Sequence, residues 1–110
     1  MSDATEQFFQ ELEERGFEPL VAKFTGSVRF EVVNGTETDH WVVEIDKGHL
    51  QVSRNGGDRA CSIRGDKALF DRLAMGQENA MAATLRGALV CTGDVDLLLA
   101  IQRIFPGPRR

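Results

Sequence analysis

The chain has 110 residues, enough for one domain with a real core and too few for two. Its hydrophobic and charged fractions, 42% and 27%, are ordinary for a soluble globular protein. The formal net charge of −4 argues against nucleic acid as a partner, because binding the phosphate backbone requires a basic surface.

The sequence shows no targeting or membrane-spanning signal. Residues 1–14 carry acids and no apolar run, so they do not form a signal peptide, and the apolar stretch 97–101 is too short to cross a bilayer. Cys61 and Cys91 have no Cys-x-x-Cys spacing and are interpreted as reduced, buried thiols, with a disulfide or redox role as the alternative.

The first element is a predicted helix over residues 4–15. Asp3 is its expected N-cap, Glu6 follows three residues later, and Gly16 ends it. Its narrow apolar stripe consists of Phe8, Phe9 and Leu12.

The middle of the chain alternates between apolar and polar residues with period two, which predicts strands. The apolar positions are Val28, Phe30 and Val32, then Trp41, Val43 and Ile45, then Leu50 and Val52, and finally Cys61 and Ile63. Turn residues separate these runs at Asn34-Gly35, Lys47-Gly48 and 55–58, and Glu37 and Asp39 are expected in the first hairpin loop. The pattern predicts a four-stranded antiparallel meander with one apolar, buried face and one solvent-exposed face.

A second helix is predicted after Asp66 as its cap, ending at Gly76, with an apolar stripe of Leu69, Phe70 and Leu73. Residues 79–84 predict a short helix that carries Met81. The continuous apolar run 89–91 predicts a strand covered on both faces.

The last helix is predicted from Asp94 to about Phe105 and leaves only Asp96, Gln102 and Arg103 for solvent. A helix so apolar must be covered by the rest of the protein, by a partner or by a ligand. The order of elements predicts an α+β fold with helices on one face of a mostly antiparallel sheet.

No convincing catalytic set is found. His40 and His49, the two histidines, lie on a polar strand face and beside a turn, without metal-ligand spacing. We therefore predict no metal, no cofactor and no enzymatic activity. Cys61 and Cys91 as a peroxide-reducing pair are a remaining alternative, although neither has a local cation or helix N-terminus that favours the thiolate.

Apolar surface remains as the candidate site, and the same residues also suit an ordinary core. They are the sheet residues Phe30, Val32, Trp41 and Val43, the helix residues Leu69, Phe70, Leu73, Leu98, Ile101, Ile104 and Phe105, and the adaptable Met75 and Met81.

In their order and spacing, the predicted strands, turns and helices resemble those of the sterol carrier protein-2 family over residues 8–105. The matching segments are 26–32 with Asn34-Gly35, 41–45 with Gly48, 61–66 with the helix 68–73 and Met75-Gly76, and 87–94 followed by 97–99. The most characteristic match is the stretch Gly87-Ala88-Leu89-Val90-Cys91-Thr92-Gly93-Asp94. It is similar to the family's strand of small residues and the Gly-Asp pair that follows that strand.

The resemblance implies a five-stranded, mostly antiparallel sheet covered on one face by helices, with an apolar tunnel between them. It implies non-enzymatic binding or transfer of a fatty acid, acyl-CoA, sterol or isoprenoid lipid by the residues above. Gln102 and Arg103 would then orient the lipid's head group near the tunnel mouth.

The resemblance also leaves an alternative, an accessory subunit of a lipid- or quinone-metabolising enzyme whose last helix faces a protein partner or a second copy. The chain ends at residues 107–110 without the peroxisomal Ser-Lys-Leu-like tripeptide of some members. We therefore expect a free-standing, cytoplasmic, prokaryotic domain.

Overall fold

The computed structural model describes residues 4–54 and 61–105. Its elements in chain order are α1 (Ala4–Arg15), a 3₁₀ turn (Pro19–Val21), β1 (Thr25–Asn34), β2 (Glu37–Asp46), β3 (His49–Ser53), β4 (Cys61–Asp66), α2 (Lys67–Ala74), α3 (Ala80–Leu85), β5 (Val90–Gly93) and α4 (Val95–Gln102). The predicted α+β class is confirmed, and the first helix has the predicted bounds. Its expected cap, Asp3, lies outside the described residues.

The five strands form one sheet in the order β3-β2-β1-β4-β5. Three neighbouring pairs are antiparallel, but β1 and β4 run parallel, with Val28 opposite Cys61. The predicted meander is therefore correct for β1, β2 and β3 and wrong for β4. An alternating pattern identifies the buried face of a strand, but it does not identify the neighbouring strand. The turn predicted at 55–58 lies outside the described residues.

Both described hairpins have two-residue turns. Asn34 lies directly opposite Glu37, so only Gly35 and Thr36 connect β1 to β2. Glu37 and Asp39 are consequently strand residues, and their predicted place in a loop is wrong. In the second turn Lys47 and Gly48 have φ angles of 51° and 90°, the left-handed pair that a tight antiparallel hairpin favours.

The two faces of the sheet differ in chemistry. The inner face carries the predicted apolar positions, which are buried in the core except for the half-buried Val52. The outer face carries Glu31, whose carboxylate oxygen lies 3.7 Å from a ring nitrogen of His40 and 3.6 Å from a guanidinium nitrogen of Arg64. Val42 is an exception, because it lies on the outer face and is nevertheless only 1% exposed.

Helix α1 packs on the sheet through aromatic contacts. The Phe9 ring stacks on Trp41 at 4.7 Å and meets Phe30 edge-on at 5.0 Å. At the start of α1, the Asp71 carboxylate of α2 accepts hydrogen bonds from the Thr5 amide (3.1 Å) and hydroxyl (2.6 Å). The two helices are thereby fixed to each other by a polar contact that sequence spacing did not predict.

Strand β5 lies at a sheet edge and is not covered on both faces as predicted. Val90 is 51% exposed and Cys91 is half-buried, whereas Leu89, just before the strand, is buried. A short apolar run does not distinguish a central strand from an edge strand that follows a buried residue.

Helix α4 ends at Gln102, three residues before the predicted end. Ile104 and Phe105 lie beyond the helix, and both are buried in the core. Asp94 caps α4 through hydrogen bonds from the amides of Asp96 and Leu97, whereas Asp66 occupies the N-cap of α2 without such a bond.

Candidate functional site

Most of the predicted apolar site residues lie in one continuous buried cluster between the sheet and the helices. These are Phe30, Val32, Trp41, Val43, Leu69, Phe70, Leu73, Leu98, Ile101, Ile104 and Phe105. Met75 and Met81 are outside it and are 54% and 42% exposed.

Within this cluster is an apolar gap of about 10 Å³, enclosed by α1, the sheet and the segment at the end of α4. Its lining is Phe8, Leu12, Phe30, Val43, Ile101, Ile104 and Phe105. A space of this size accommodates at most one water molecule, whereas small-molecule pockets are typically about 300–1,000 Å³. The core is therefore closed at this point.

Two surface pockets adjoin the gap. The α3–α4 pocket has a volume of about 260 Å³ and is lined by Glu78, Asn79, Ala80, Met81, Leu99, Gln102, Arg103 and Phe105. The α1–α2 pocket has about 340 Å³ and is lined by Ala4, Gln7, Phe8, Glu11, Arg15, Ala74, Met75 and Ile104. The two exposed methionines thus lie on the rims of different pockets.

Three side chains line both the gap and one of the two pockets. Phe105 lines both the gap and the α3–α4 pocket, whereas Phe8 and Ile104 line both the gap and the α1–α2 pocket. The rings of Phe8 and Phe105 stack with centroids 4.6 Å apart. Phe105 also meets Phe30 at 6.1 Å and Phe70 at 6.5 Å. Three side chains therefore separate the gap from the two pockets.

Gln102 is only 9% exposed, so the prediction that it faces solvent is wrong. Its amide nitrogen donates to the Thr84 hydroxyl at 3.1 Å and to the Cys91 sulfur at 3.7 Å, because α4 packs against α3 and β5 at this point. The amide oxygen is buried and has no hydrogen-bond partner among residues 4–54 and 61–105. Arg103 is exposed, as predicted.

Both cysteines are free, so the disulfide alternative does not hold in this structure. Cys61 is buried, and its thiol donates to the Asp94 carbonyl at 3.4 Å. Burial raises the pKa of the Cys61 thiol, outweighing that hydrogen bond, which lowers it. Cys91 is only half-buried, and it lies opposite Ile63 rather than Cys61. This environment disfavours a Cys61 thiolate.

A further concavity, of about 880 Å³, is an open groove with mixed polar and apolar walls. The groove is lined by Gly16 and residues 25–27, 44–46 and 49–51. It shares no lining residue with the gap. His49 is in this lining and His40 is on the outer sheet face. Among the residues that the structure describes, no group of three or more His, Cys, Asp or Glu side chains is placed to hold a metal ion.

The residue set differs from the prediction in two ways. Phe8 and Leu12 line the gap, although their stripe was assigned only to helix packing; aromatic and leucine residues at helical spacing were the available signal. Nine predicted site residues do not line the gap: Val32, Trp41, Leu69, Phe70, Leu73, Met75, Met81, Leu98 and Gln102. The Arg54 guanidinium lies 4.0 Å from the ring centroid of Trp41. Within residues 4–54 and 61–105, none of the helices has the length and apolarity needed to span a bilayer.

The geometry defines a class of α+β domain, in which helices cover one face of a five-stranded sheet and close over an apolar gap. The sequence model of the SCP-2 sterol transfer family matches residues 6–106, and the chain belongs to that family. Comparison with the curated proteins returned no match.

Solved structures share this fold. The sterol carrier protein domain 2 of Helicoverpa armigera is 24% identical, with a TM-score of 0.74, over 91% of this chain and 86% of that one. The Aedes aegypti sterol carrier protein-2 in complex with palmitate is 16% identical, with a TM-score of 0.71, over 94% of both chains. A ubiquinone synthesis protein, UbiJ-SCP2, is 14% identical, with a TM-score of 0.66, over 91% of this chain and 90% of that one.

Proposed function

We propose that this domain binds one long-chain apolar ligand, without catalysing a reaction, along a path from the α1–α2 pocket through the gap to the α3–α4 pocket. The observation that carries the proposal is the sharing of Phe8, Ile104 and Phe105 between the gap and the pockets. If these side chains move, the three separate spaces become one tunnel.

Ligand binding must open the gap, because about 10 Å³ does not hold an alkyl chain. Ile104 and Phe105 are suited to this movement, since both lie beyond the last residue of α4. The amide of Ile104 donates to the Ile101 carbonyl at 3.0 Å, so displacing this segment breaks a terminal turn and leaves the helix intact. Burial of the ligand's alkyl chain, at about 25 cal/mol per Å² of apolar surface, would offset the free-energy cost of opening the gap.

Family membership and the palmitate complex of the Aedes aegypti relative support a lipid as the ligand. We propose a fatty acid, acyl-CoA, sterol or isoprenoid lipid, held by the buried cluster and flanked by Met75 and Met81. Arg15 and Arg103 each line one pocket beside a glutamate, Glu11 and Glu78, and Arg15 is also paired with Glu18. A charged head group at either pocket would remain in contact with water. The two free cysteines support our proposal of a cytoplasmic location.

A matched pair of substitutions tests the path. Val28 and Val43 lie opposite each other on β1 and β2 and are 0% and 1% exposed, but only Val43 lines the gap. Val43→Phe and Val28→Phe should each cost about 1–3 kcal/mol of stability through overpacking. In a titration with a fluorescent long-chain fatty acid, we expect only Val43→Phe to weaken binding, by roughly tenfold. Equal losses in both variants would refute the path.

A second function, as an accessory subunit, is favoured by exposed apolar side chains near β5. Leu85, Val95 and Leu99 are 82%, 65% and 39% exposed, and the chain is similar to a ubiquinone synthesis protein. If these residues bind a protein or a second copy, the mass in solution depends on concentration, and Val95→Asp abolishes that dependence while lipid binding is retained. A monomeric mass at all concentrations, with no partner bound, would count against this function.

A further inference from the structure

We infer that Gln102 makes the α3–α4 pocket selective for a lipid whose polar end donates a hydrogen bond, such as a long-chain alcohol, over the chain-matched carboxylate. This inference rests on the proposed function, because it concerns the end of a ligand that occupies the same path. It begins from the buried amide oxygen of Gln102, which has no partner among the described residues.

The orientation of the Gln102 amide follows from its neighbours. The Thr84 hydroxyl donates to the Ala80 carbonyl at 2.8 Å, and its oxygen accepts from the Gln102 amide at 3.1 Å. With this assignment the NH₂ of Gln102 faces Thr84 and also reaches the Cys91 sulfur. The remaining group is the carbonyl oxygen, an acceptor that no described residue satisfies.

A buried acceptor without a donor is unfavourable, and native proteins seldom retain one without a reason. A ligand hydroxyl that reaches Gln102 would supply the missing donor. An ionised carboxylate has only acceptor oxygens, so it would place negative charge against the Gln102 carbonyl and leave it unsatisfied.

The other polar groups of the pocket do not replace Gln102 in this role. Hydrogen bonds from Arg86 and Arg72 hold the pKa of Glu78 below its usual value, so this carboxylate is ionised and already engaged. The Asn79 side-chain oxygen accepts from the Ala82 amide at 3.0 Å. Arg103 is exposed at the rim, where it would attract a carboxylate that does not enter. A polar end that enters deeply therefore meets Gln102.

The experiment compares 1-tetradecanol with tetradecanoic acid at about pH 8, where the acid is ionised, by displacement of a fluorescent fatty acid. The wild-type protein should prefer the alcohol by about three- to tenfold, the equivalent of one neutral hydrogen bond. Gln102→Leu should reduce the ratio to near one. Gln10→Leu, at an exposed glutamine of α1 that lines neither pocket nor the gap, should leave it unchanged.

The outcomes distinguish this inference from the proposed function. If neither compound displaces the probe from the wild-type protein, the proposed function fails and the inference fails with it. If both compete equally in the wild-type protein, as when water satisfies the Gln102 oxygen, or if the preference persists in Gln102→Leu, only the role of Gln102 is overturned. Gln102→Met, closer to glutamine in shape, provides the same comparison if the leucine variant does not fold.

Discussion

The ring of Phe105 lies nearly parallel to the ring of Phe8, with an angle of 11° between the planes and 4.6 Å between the centroids. Phe8 belongs to α1 and Phe105 to the segment after α4, so this stack joins elements from opposite ends of the described chain. Each ring lines the gap and a different pocket, so in the path proposed above the pair would control access to the gap from both sides.

Replacing Phe105 by leucine should open the path. The smaller, non-planar side chain loses the stack on Phe8, so we expect faster association and tighter binding of a fluorescent fatty acid in stopped-flow measurements. Stability should fall by roughly 1–3 kcal/mol, as for many core substitutions.

The matched control is Phe9→Leu, because Phe9 is fully buried and stacks on Trp41 but lines none of the three spaces. It should lose comparable stability without gaining association rate. Slower binding in Phe105→Leu, or an equal gain in both variants, would contradict the gating role.

The contact of Asp71 with Thr5 predicts a pH dependence of stability. Burial opposes ionisation of Asp71, but hydrogen bonds from Thr5 and the Lys67 ammonium, 2.9 Å away, hold the pKa of its carboxyl below the usual value. Because the folded pKa is depressed, the stabilisation is present above the unfolded pKa of about 3.9 and is lost as pH falls through the folded value.

Asp71→Asn should therefore cost roughly 1 kcal/mol at neutral pH, allowing for partial solvent screening. Its difference from the wild-type protein in urea unfolding should shrink below about pH 4. Asp46→Asn, an exposed aspartate at the end of β2, is the control and should show little cost. A constant difference for Asp71→Asn across this range would argue against the carboxylate as the source.

The cysteines should differ in reactivity. Half-buried Cys91 should be alkylated by iodoacetamide in the native protein, whereas Cys61 should react only on unfolding, since burial removes access and raises its pKa. Mass spectrometry of the intact protein over time measures this, with Cys91→Ser to assign the first modification. Rapid native alkylation of Cys61, or a disulfide formed with peroxide, would revive the thiol-enzyme hypothesis.

Asp66 and Asp94, two of the three predicted helix caps, should contribute unequally to stability. Asp94→Ala removes hydrogen bonds at 3.0 and 3.3 Å to the first amides of α4 and should cost about 0.5–2 kcal/mol in chemical denaturation. Asp66→Ala, at a cap position without such a bond, should cost less. The reverse order would mean that the side-chain bond of Asp94 contributes little to α4.

Much of the fold could be predicted from residue patterns. The helical stripe of Phe9 and Leu12, the alternation in the strands and the Lys47-Gly48 turn each specify local structure. The parallel pairing of β1 with β4 could not be predicted, because the alternating pattern of a strand does not identify its neighbour in the sheet. The exposed position of β5 depends in the same way on sheet order.

Part of the gap lining was predicted from the sequence, but its shape was not. Phe30, Val43, Ile101, Ile104 and Phe105 were expected, and all five line the gap. The closed state of the gap depends on the stack of Phe8 on Phe105, a contact between the two ends of the fold. The burial of Gln102 depends on how α4 packs on Thr84 and Cys91, which a polar residue near a helix end does not reveal.

The most direct test of the central claim is native mass spectrometry of the purified protein, followed by solvent extraction and identification of what is released. We expect one long-chain lipid per protein molecule, or its uptake at that ratio when a fatty acid is added. A ligand-free mass, together with no displacement of a fluorescent fatty acid on titration, would contradict lipid binding and favour the accessory-subunit function.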